Sequence, residues 1–134
     1  SLPKKIPQGL SQTQFDDAAA LLKSRAGYLG DDIAVHGSRA SGTARATSDI
    51  DFAIRVSPDQ FDSLIKARFG TPNPGSAKLR TMQHAIETGK IQAGEAGLRS
   101  IRRQLQKELG MKVDLSIIKI GGAFDKGPYI SIPE

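Results

Sequence analysis

The sequence contains no cysteine and no tryptophan, and only two histidines, His36 and His84. Without thiols the chain can form no disulfide, no cysteine-ligated metal site and no cysteine nucleophile, and two histidines do not supply a zinc cluster. Aromatic residues make up 5% of the chain, so few side chains offer a surface on which nucleic-acid bases can stack. No apolar run approaches the roughly 20 residues of a membrane-spanning helix. We therefore expect a globular domain with no membrane span.

The overall composition is that of an ordinary folded domain. The chain has 134 residues, of which 38% are hydrophobic and 25% charged, enough for one hydrophobic core. Lysine and arginine number 19 against 14 acidic residues, and the net charge of +5 favours an anionic partner such as a nucleotide or a nucleic acid. The opening residues are rich in proline and lysine and have linker character. We predict a linker-like lead-in over residues 1–10 and a single domain over residues 11–134.

Capping signals and hydrophobic periodicity predict a mixed α/β domain. Ser11 and Gln14 form a capping box that predicts a helix over 12–26. Ser57 followed by Pro58 predicts a second helix that ends near Phe69. Further helices are predicted over 76–88 and 94–109, strands over 33–36, 50–56 and 112–118, and after these a loop that can end in an edge strand.

Acidic residues occupy the polar face of two predicted strands. Asp49 and Asp51 share one face because side chains alternate along a strand, and Asp114 alternates with apolar neighbours in the same way. Two carboxylates about 4 Å apart repel by roughly 4 kcal/mol at an effective dielectric near 20, so such a cluster favours a bound cation. Carboxylate oxygens favour Mg²⁺ or Mn²⁺. Three acids on two strands can hold two such ions about 3.5–4 Å apart. Taken alone, Asp49 can equally be a turn residue.

A phosphate-binding turn is predicted just before the first acids. Gly37 and Ser38 follow the strand 33–36, where glycine lets the backbone approach an anion and serine adds a hydroxyl donor. Arg39 and Arg45 lie in the same connection and can neutralise a triphosphate. His36 is interpreted as a packed residue at a strand end, and His84 as a surface residue.

Together these motifs resemble the signature of the nucleotidyltransferase fold, of the DNA polymerase beta type and its minimal members. They are Gly37-Ser38, ten intervening residues, Asp49-Ile50-Asp51-Phe52 and later Val113-Asp114-Leu115. The resemblance implies a small mixed sheet flanked by helices. The two or three helices predicted between Val56 and Lys112 depart from the minimal members and form a helical insertion before the third catalytic strand. The resemblance also implies that Asp49, Asp51 and Asp114 hold two Mg²⁺ or Mn²⁺ ions, and that Asp114 helps to activate the acceptor. Gly37 and Ser38, with Arg39 beside them, would grip the phosphates.

The activity implied by this resemblance is transfer of a nucleoside monophosphate from an NTP such as ATP to an acceptor hydroxyl, with release of pyrophosphate. The basic charge favours RNA, and tRNA first, as the acceptor. Arg99, Arg102 and Arg103 cluster on one flank of the helix 94–109 and are the candidate nucleic-acid contacts. A solvated basic face is the alternative interpretation of this cluster.

The chain also resembles the C-terminal effector domain of a bacterial polymorphic or contact-dependent toxin, because it lacks an initiator methionine and opens with linker-like residues. That resemblance implies a secreted protein delivered into a target cell, action in its cytoplasm, and an immunity protein that blocks the site. Two other enzymatic interpretations remain open, nucleotidylation of a partner protein and modification of an antibiotic. A non-enzymatic nucleic-acid-binding module is a further alternative, and the acid cluster argues against it because a polyanion gains nothing from clustered carboxylates.

Overall fold

The computed structural model describes residues 5–133, along which helices and strands are interspersed. The helices are α1 (Gln12–Ala26), α2 (Ser38–Ser41), α3 (Pro58–Phe69), α4 (Ala77–Thr88) and α5 (Arg99–Leu109), with a 3₁₀ turn at Gly27–Leu29. The strands are β1 (Ile33–His36), β2 (Ile50–Val56), β3 (Lys90–Gln92), β4 (Val113–Lys119) and β5 (Ile130–Ser131). The predicted mixed α/β architecture is thereby confirmed.

Serine caps define where three of the helices begin. In each, the serine Oγ accepts a hydrogen bond from the backbone N–H three residues later: Ser11 for α1, Ser57 for α3 and Ser76 for α4. At Ser11 the side chain of Gln14 also accepts from the serine backbone N–H, which completes the predicted capping box. These bonds satisfy N–H groups that have no partner within the helix.

The strands form one five-stranded sheet in the order β3-β4-β2-β1-β5. The central strands β2 and β4 are parallel, and the other neighbouring pairs are antiparallel. Parallel strands need a long crossover connection, and here residues 57–112 provide it, through α3, α4, β3 and α5. The crossover is the helical insertion that the sequence predicted before the third acid.

The hydrophobic core lies on one face of this sheet. Alternate residues of β2 and β4 enter the core cluster: Ile50, Phe52, Ile54, Val113, Leu115 and Ile117. Helices α1, α3 and α5 add their apolar stripes to the same cluster, among them Phe15, Leu22, Phe61, Ile65, Ile101 and Leu105. The opposite face of the sheet carries the intervening residues, including Asp51, Ala53, Asp114 and Ser116. We call it the polar face.

Two sequence predictions between residues 90 and 98 were wrong. The sequence predicts that residues 94–98 belong to the last helix, but turns occupy residues 93–97 and α5 begins at Arg99. Gly97 has a φ of +74° in these turns, a conformation that a helix does not use. Residues 90–92 were not assigned to a strand, yet β3 pairs antiparallel with β4. A segment of three residues is too short to show the alternation of apolar and polar residues that predicts a strand. It becomes a strand only by pairing with β4, which is distant along the chain.

Part of the predicted lead-in packs against the domain. Leu10 is buried in the core cluster, and the side-chain amide of Gln8 exchanges hydrogen bonds with the backbone of Ala44. Residues 1–4 of the lead-in, and residue 134, lie outside the described residues. Over residues 5–133, each helix is too short or too polar to cross a membrane.

Candidate active site

Asp51 and Asp114 face each other at the centre of the polar face. They occupy paired positions on the parallel strands β2 and β4, and such strands lie about 4.8 Å apart. Burial, together with the negative charges of Asp114 and Asp49, raises the pKa of Asp51 to about 6. The fold therefore holds two like charges together in a partly desolvated position, which favours a cation between them.

Lys90 supplies a positive charge to this pair, and the sequence analysis did not anticipate it. Its Nζ lies 3.5 Å from Asp114 Oδ2, and its side chain is 16% exposed. The same ammonium lies 5.2 Å from the ring centroid of Phe124. Lys90 reaches the acids only because β3 pairs with β4 and puts its side chain on the polar face. No motif around residue 90 signals this role.

Asp49 borders the acid pair. It precedes the first residue of β2 and is partly buried, and its charge is one of the causes of the raised pKa of Asp51. Within residues 5–133, no three His, Cys, Asp or Glu side chains are arranged so that they could hold one metal ion. Of the three predicted ligands, Asp51 and Asp114 thus form a close pair, and Asp49 lies near them.

The Gly37-Ser38 turn lies directly against Asp51. Gly37 follows β1 and has a φ of +74°, and a side chain built there would collide with the carboxylate oxygen Oδ2 of Asp51. Glycine is therefore required both by the backbone conformation and by the acid beside it. Ser38 begins α2, so the backbone N–H groups of Ser38 and Arg39 have no acceptor within the helix. The predicted phosphate turn and the predicted acids form one site.

The side chain of Arg39 points into the protein. The residue is 4% exposed, its Nη1 donates to the carbonyl of Gln8 at 2.8 Å, and its Nη2 donates to the carbonyl of Ser48 at 2.7 Å. These bonds hold the loop that leads to Asp49. The phosphate-binding role expected for Arg39 is not supported by this position, because its guanidinium is already engaged by backbone carbonyls.

His36 is a further ionisable group in this part of the polar face. It pairs with Asp51 across β1 and β2, and its Nε2 is buried with no hydrogen-bond partner among the described residues. Burial lowers the pKa of His36, and the nearby Lys90 lowers it further. We therefore expect a neutral imidazole at pH 7. Its partnerless nitrogen was not foreseen from sequence, which indicated a packed residue.

The arginines of α5 lie away from the acid pair. Arg99 and Arg103 are exposed and Arg102 is partly buried. The helix packs through Ile101 and Leu105 into the core, which is on the sheet face opposite to the acids. The predicted nucleic-acid residues and the predicted catalytic residues are therefore separated by the sheet.

A Gly-Ser turn beside facing carboxylates is the arrangement expected in a protein of the phosphoryl-transferring class. The family model described as a nucleotidyltransferase domain matches residues 18–132, and the chain belongs to this family. No curated protein matches the sequence. The predicted family and fold are thus confirmed. Membership supports nucleotidyl transfer as the general activity and implies an NTP as substrate.

Proposed function

We propose that this domain is a metal-dependent nucleotidyltransferase whose reaction takes place at Asp51 and Asp114. The observation that carries the proposal is the pairing of these two carboxylates across parallel strands, directly beside the Gly37-Ser38 turn. Two carboxylates held side by side in a partly buried position repel each other, whereas a site for a metal-bound triphosphate requires them.

The donor set fits a hard divalent cation. Asp51 and Asp114 would hold Mg²⁺ or Mn²⁺ as a pair. Asp49 is not arranged with them as a set of three ligands and would join as the third carboxylate only by moving towards the pair. The number of ions expected from the family resemblance is two. A bound ion would supply positive charge for the phosphoryl oxygens in the transition state. Lys90 now neutralises part of the charge on Asp114 and would support the same oxygens with its ammonium group.

The side chains and backbone of the site have distinct parts in the reaction. The backbone N–H groups of the Gly37-Ser38 turn and the Ser38 hydroxyl bind the triphosphate. The acceptor hydroxyl oxygen bonds to the α-phosphorus, the bond to the bridging oxygen of the β-phosphate breaks, and pyrophosphate leaves. Lys90 holds Asp114 Oδ2, so Oδ1 is the atom we assign to receive the acceptor proton.

RNA, with tRNA first, is the acceptor we propose, supported by the net charge of +5. The basic flank of α5 lies on the other side of the sheet from the acids, so it would contact only RNA that extends beyond the site. Delivery as a bacterial toxin, with an immunity protein, stays a prediction from the family context. Protein and antibiotic acceptors, and a binding module without catalysis, are the other outcomes of the experiment below.

The test is incubation of the domain with each NTP labelled at the α-phosphate, Mg²⁺, and total cellular RNA or protein. We expect label in the RNA fraction, and its loss by roughly 100-fold or more in Asp114→Asn. Asp62→Asn, which changes an exposed acid of α3, is the matched control and should transfer normally.

Label on protein or on an added antibiotic would support the transfer activity but show that RNA is not the acceptor. A wild-type domain that labels nothing, or an Asp114→Asn variant as active as wild type, would overturn the assignment of the reaction to this site.

A further inference from the structure

The buried guanidinium of Arg39 joins two segments that are distant along the chain. Its Nη1 donates to the carbonyl of Gln8 at 2.8 Å, while Nε and Nη2 both donate to the carbonyl of Ser48, at 3.1 and 2.7 Å. Over residues 5–133 no carboxylate forms an ion pair with Arg39, so backbone carbonyls compensate its charge there. A buried charge is costly without such bonds. What this arginine contributes is the geometry of its fork, which holds two segments at once.

The bonds to Ser48 fix the backbone immediately before Asp49. Ser48 is also part of a tight turn, in which its N–H donates to the carbonyl of Arg45 at 3.0 Å and its Oγ accepts from the N–H of Arg45 at 2.9 Å. On the other side of Asp49, the N–H of Ile50 donates to the carbonyl of Lys112 at 3.0 Å, where β2 begins. The backbone of Asp49 is therefore held on both sides, and rotation of its side chain is the movement that brings its carboxylate towards the acid pair.

Part of the predicted lead-in closes over the guanidinium. Gln8 donates its backbone N–H to the carbonyl of Arg39 at 2.9 Å, and its side-chain amide exchanges hydrogen bonds with the backbone of Ala44. Gly9 has a φ of +88°, and a side chain built there would collide with Nη1 of Arg39. Leu10 is buried in the core cluster and anchors the segment. The position of the guanidinium therefore depends on the lead-in as well as on α2.

We propose that Arg39 is a positioning residue for the reaction: together with residues 8–10, it holds the backbone of Asp49 so that this carboxylate can complete the metal site. The proposal rests on the metal-dependent transferase function, and it adds to that function a segment with no acid and no catalytic motif. A ligand whose backbone is already ordered binds at a smaller entropic cost. Displacing the guanidinium should therefore weaken metal binding while every metal ligand is still present.

Gly9→Ala tests this dependence, because the added methyl group must push the guanidinium of Arg39 aside. Mn²⁺ binding, measured without NTP by electron paramagnetic resonance, should weaken by about threefold or more. Gly110→Ala is the matched control. Its φ of +66° imposes the same kind of backbone strain, and a side chain there would contact nothing among the described residues, so it should bind Mn²⁺ as tightly as the wild type does.

Arg39→Lys tests the arginine itself. Lysine keeps the positive charge but lacks the fork that reaches two carbonyls, so this variant should show the same weakening of Mn²⁺ binding. Gly9→Ala leaves Arg39 in the chain and decides the question if the lysine variant does not fold.

The decisive measurement repeats Gly9→Ala in an Asp49→Asn background. Asp49→Asn alone should weaken Mn²⁺ binding, since it removes the charge of the third carboxylate. If the lead-in acts through Asp49, adding Gly9→Ala should then cause no further loss of Mn²⁺ affinity, whereas its effect on stability should persist in both backgrounds. Hydrogen exchange gives a second readout. Gly9→Ala should raise the exchange of the amides in residues 45–48 more than Gly110→Ala does.

Three results would overturn the role of Arg39 and leave metal-dependent transfer standing. The first is an Mn²⁺ affinity of Gly9→Ala no lower than that of Gly110→Ala. The second is wild-type Mn²⁺ affinity in Asp49→Asn, because Arg39 would then have no metal ligand to position. The third is an equal loss of affinity from Gly9→Ala in the wild-type and Asp49→Asn backgrounds, which would mean that the lead-in does not act through Asp49. A wild-type domain that binds no Mn²⁺ would overturn the metal-dependent transferase proposal as well.

Discussion

At the scale of the residue, the position of Asp51 suits a cationic ligand better than it suits the unliganded fold. Its pKa is raised from 3.8 to about 6 by burial and by the neighbouring carboxylates. The folded state therefore binds the Asp51 proton more tightly than the unfolded state does. Consequently the stability of the metal-free wild type should fall as the pH rises from about 4 to about 6, and level off above that.

Asp51→Asn should remove this pH dependence. Because the variant carries no charge at this position, its free energy of unfolding relative to wild type should rise across the same pH window. Urea unfolding in EDTA between about pH 4 and pH 7.5 measures the difference. A variant clearly less stable than wild type at pH 7 would mean that the Asp51 carboxylate is a structural hydrogen-bond partner. Transfer activity should fall by roughly 100-fold or more.

Gly37 offers a second prediction at this scale. Gly37→Ala strains a backbone with a φ of +74° and drives its methyl group into Asp51, so both NTP affinity and stability should fall. Gly42→Ala is the control, since Gly42 has a φ of +83° and a side chain there would contact nothing. It should cost about 1–2 kcal/mol of stability and leave NTP affinity unchanged. Chemical unfolding and NTP titration of both variants test this.

Equal NTP affinity in the two glycine variants would contradict the prediction. It would mean that the close approach of the turn to Asp51 has no effect on NTP affinity. The only effect of either substitution would then be the backbone strain common to both positions.

At the scale of the element, substitutions in α5 test whether RNA is the acceptor. Its arginines lie on the side of the sheet away from the acids, so replacing Arg99, Arg102 and Arg103 by Ala should leave NTP affinity unchanged. If RNA reaches this helix, the slope of log affinity against log salt should decrease by up to roughly 0.7–0.9 for each lost phosphate contact. The helix itself should persist, because alanine favours helix.

Lys66→Ala and Lys78→Ala, which remove exposed charges from α3 and α4, are the controls for loss of charge alone. A salt slope that changes equally in the control and in the triple variant would identify the basic flank of α5 as a solvated face.

At the scale of the whole molecule, ligand binding should stabilise the fold. A ligand at 100 times its Kd adds about 2.7 kcal/mol to the free energy of unfolding, which raises Tm by several degrees in a domain of this size. Mg²⁺ with NTP should therefore raise the Tm of the wild type, and EDTA should reverse most of the gain. The double variant Asp51→Asn, Asp114→Asn should show no Mg²⁺-dependent gain. An equal gain in both proteins would place the metal elsewhere.

The sequence alone was sufficient wherever the signal is local. Serine caps with their hydrogen-bond partners lie within four residues of one another, so the starts of α1 and α3 could be read directly. The alternation of Asp51 with apolar neighbours predicted its face of the sheet, and the Gly-Ser turn with its interval to Asp49 predicted the family. A three-residue strand such as β3 has no period of its own, and turns rich in glycine were mistaken for the start of α5.

The tertiary structure decided which of these residues meet. Asp51 and Asp114 become neighbours only through the register of two strands separated by a long crossover, and Lys90 joins them only through β3. The inward position of Arg39 and the separation of the α5 arginines from the acids depend in the same way on segments distant along the chain. Local chemistry determines which groups are present and which face they occupy, whereas the distances between them follow from long-range packing that no single segment encodes.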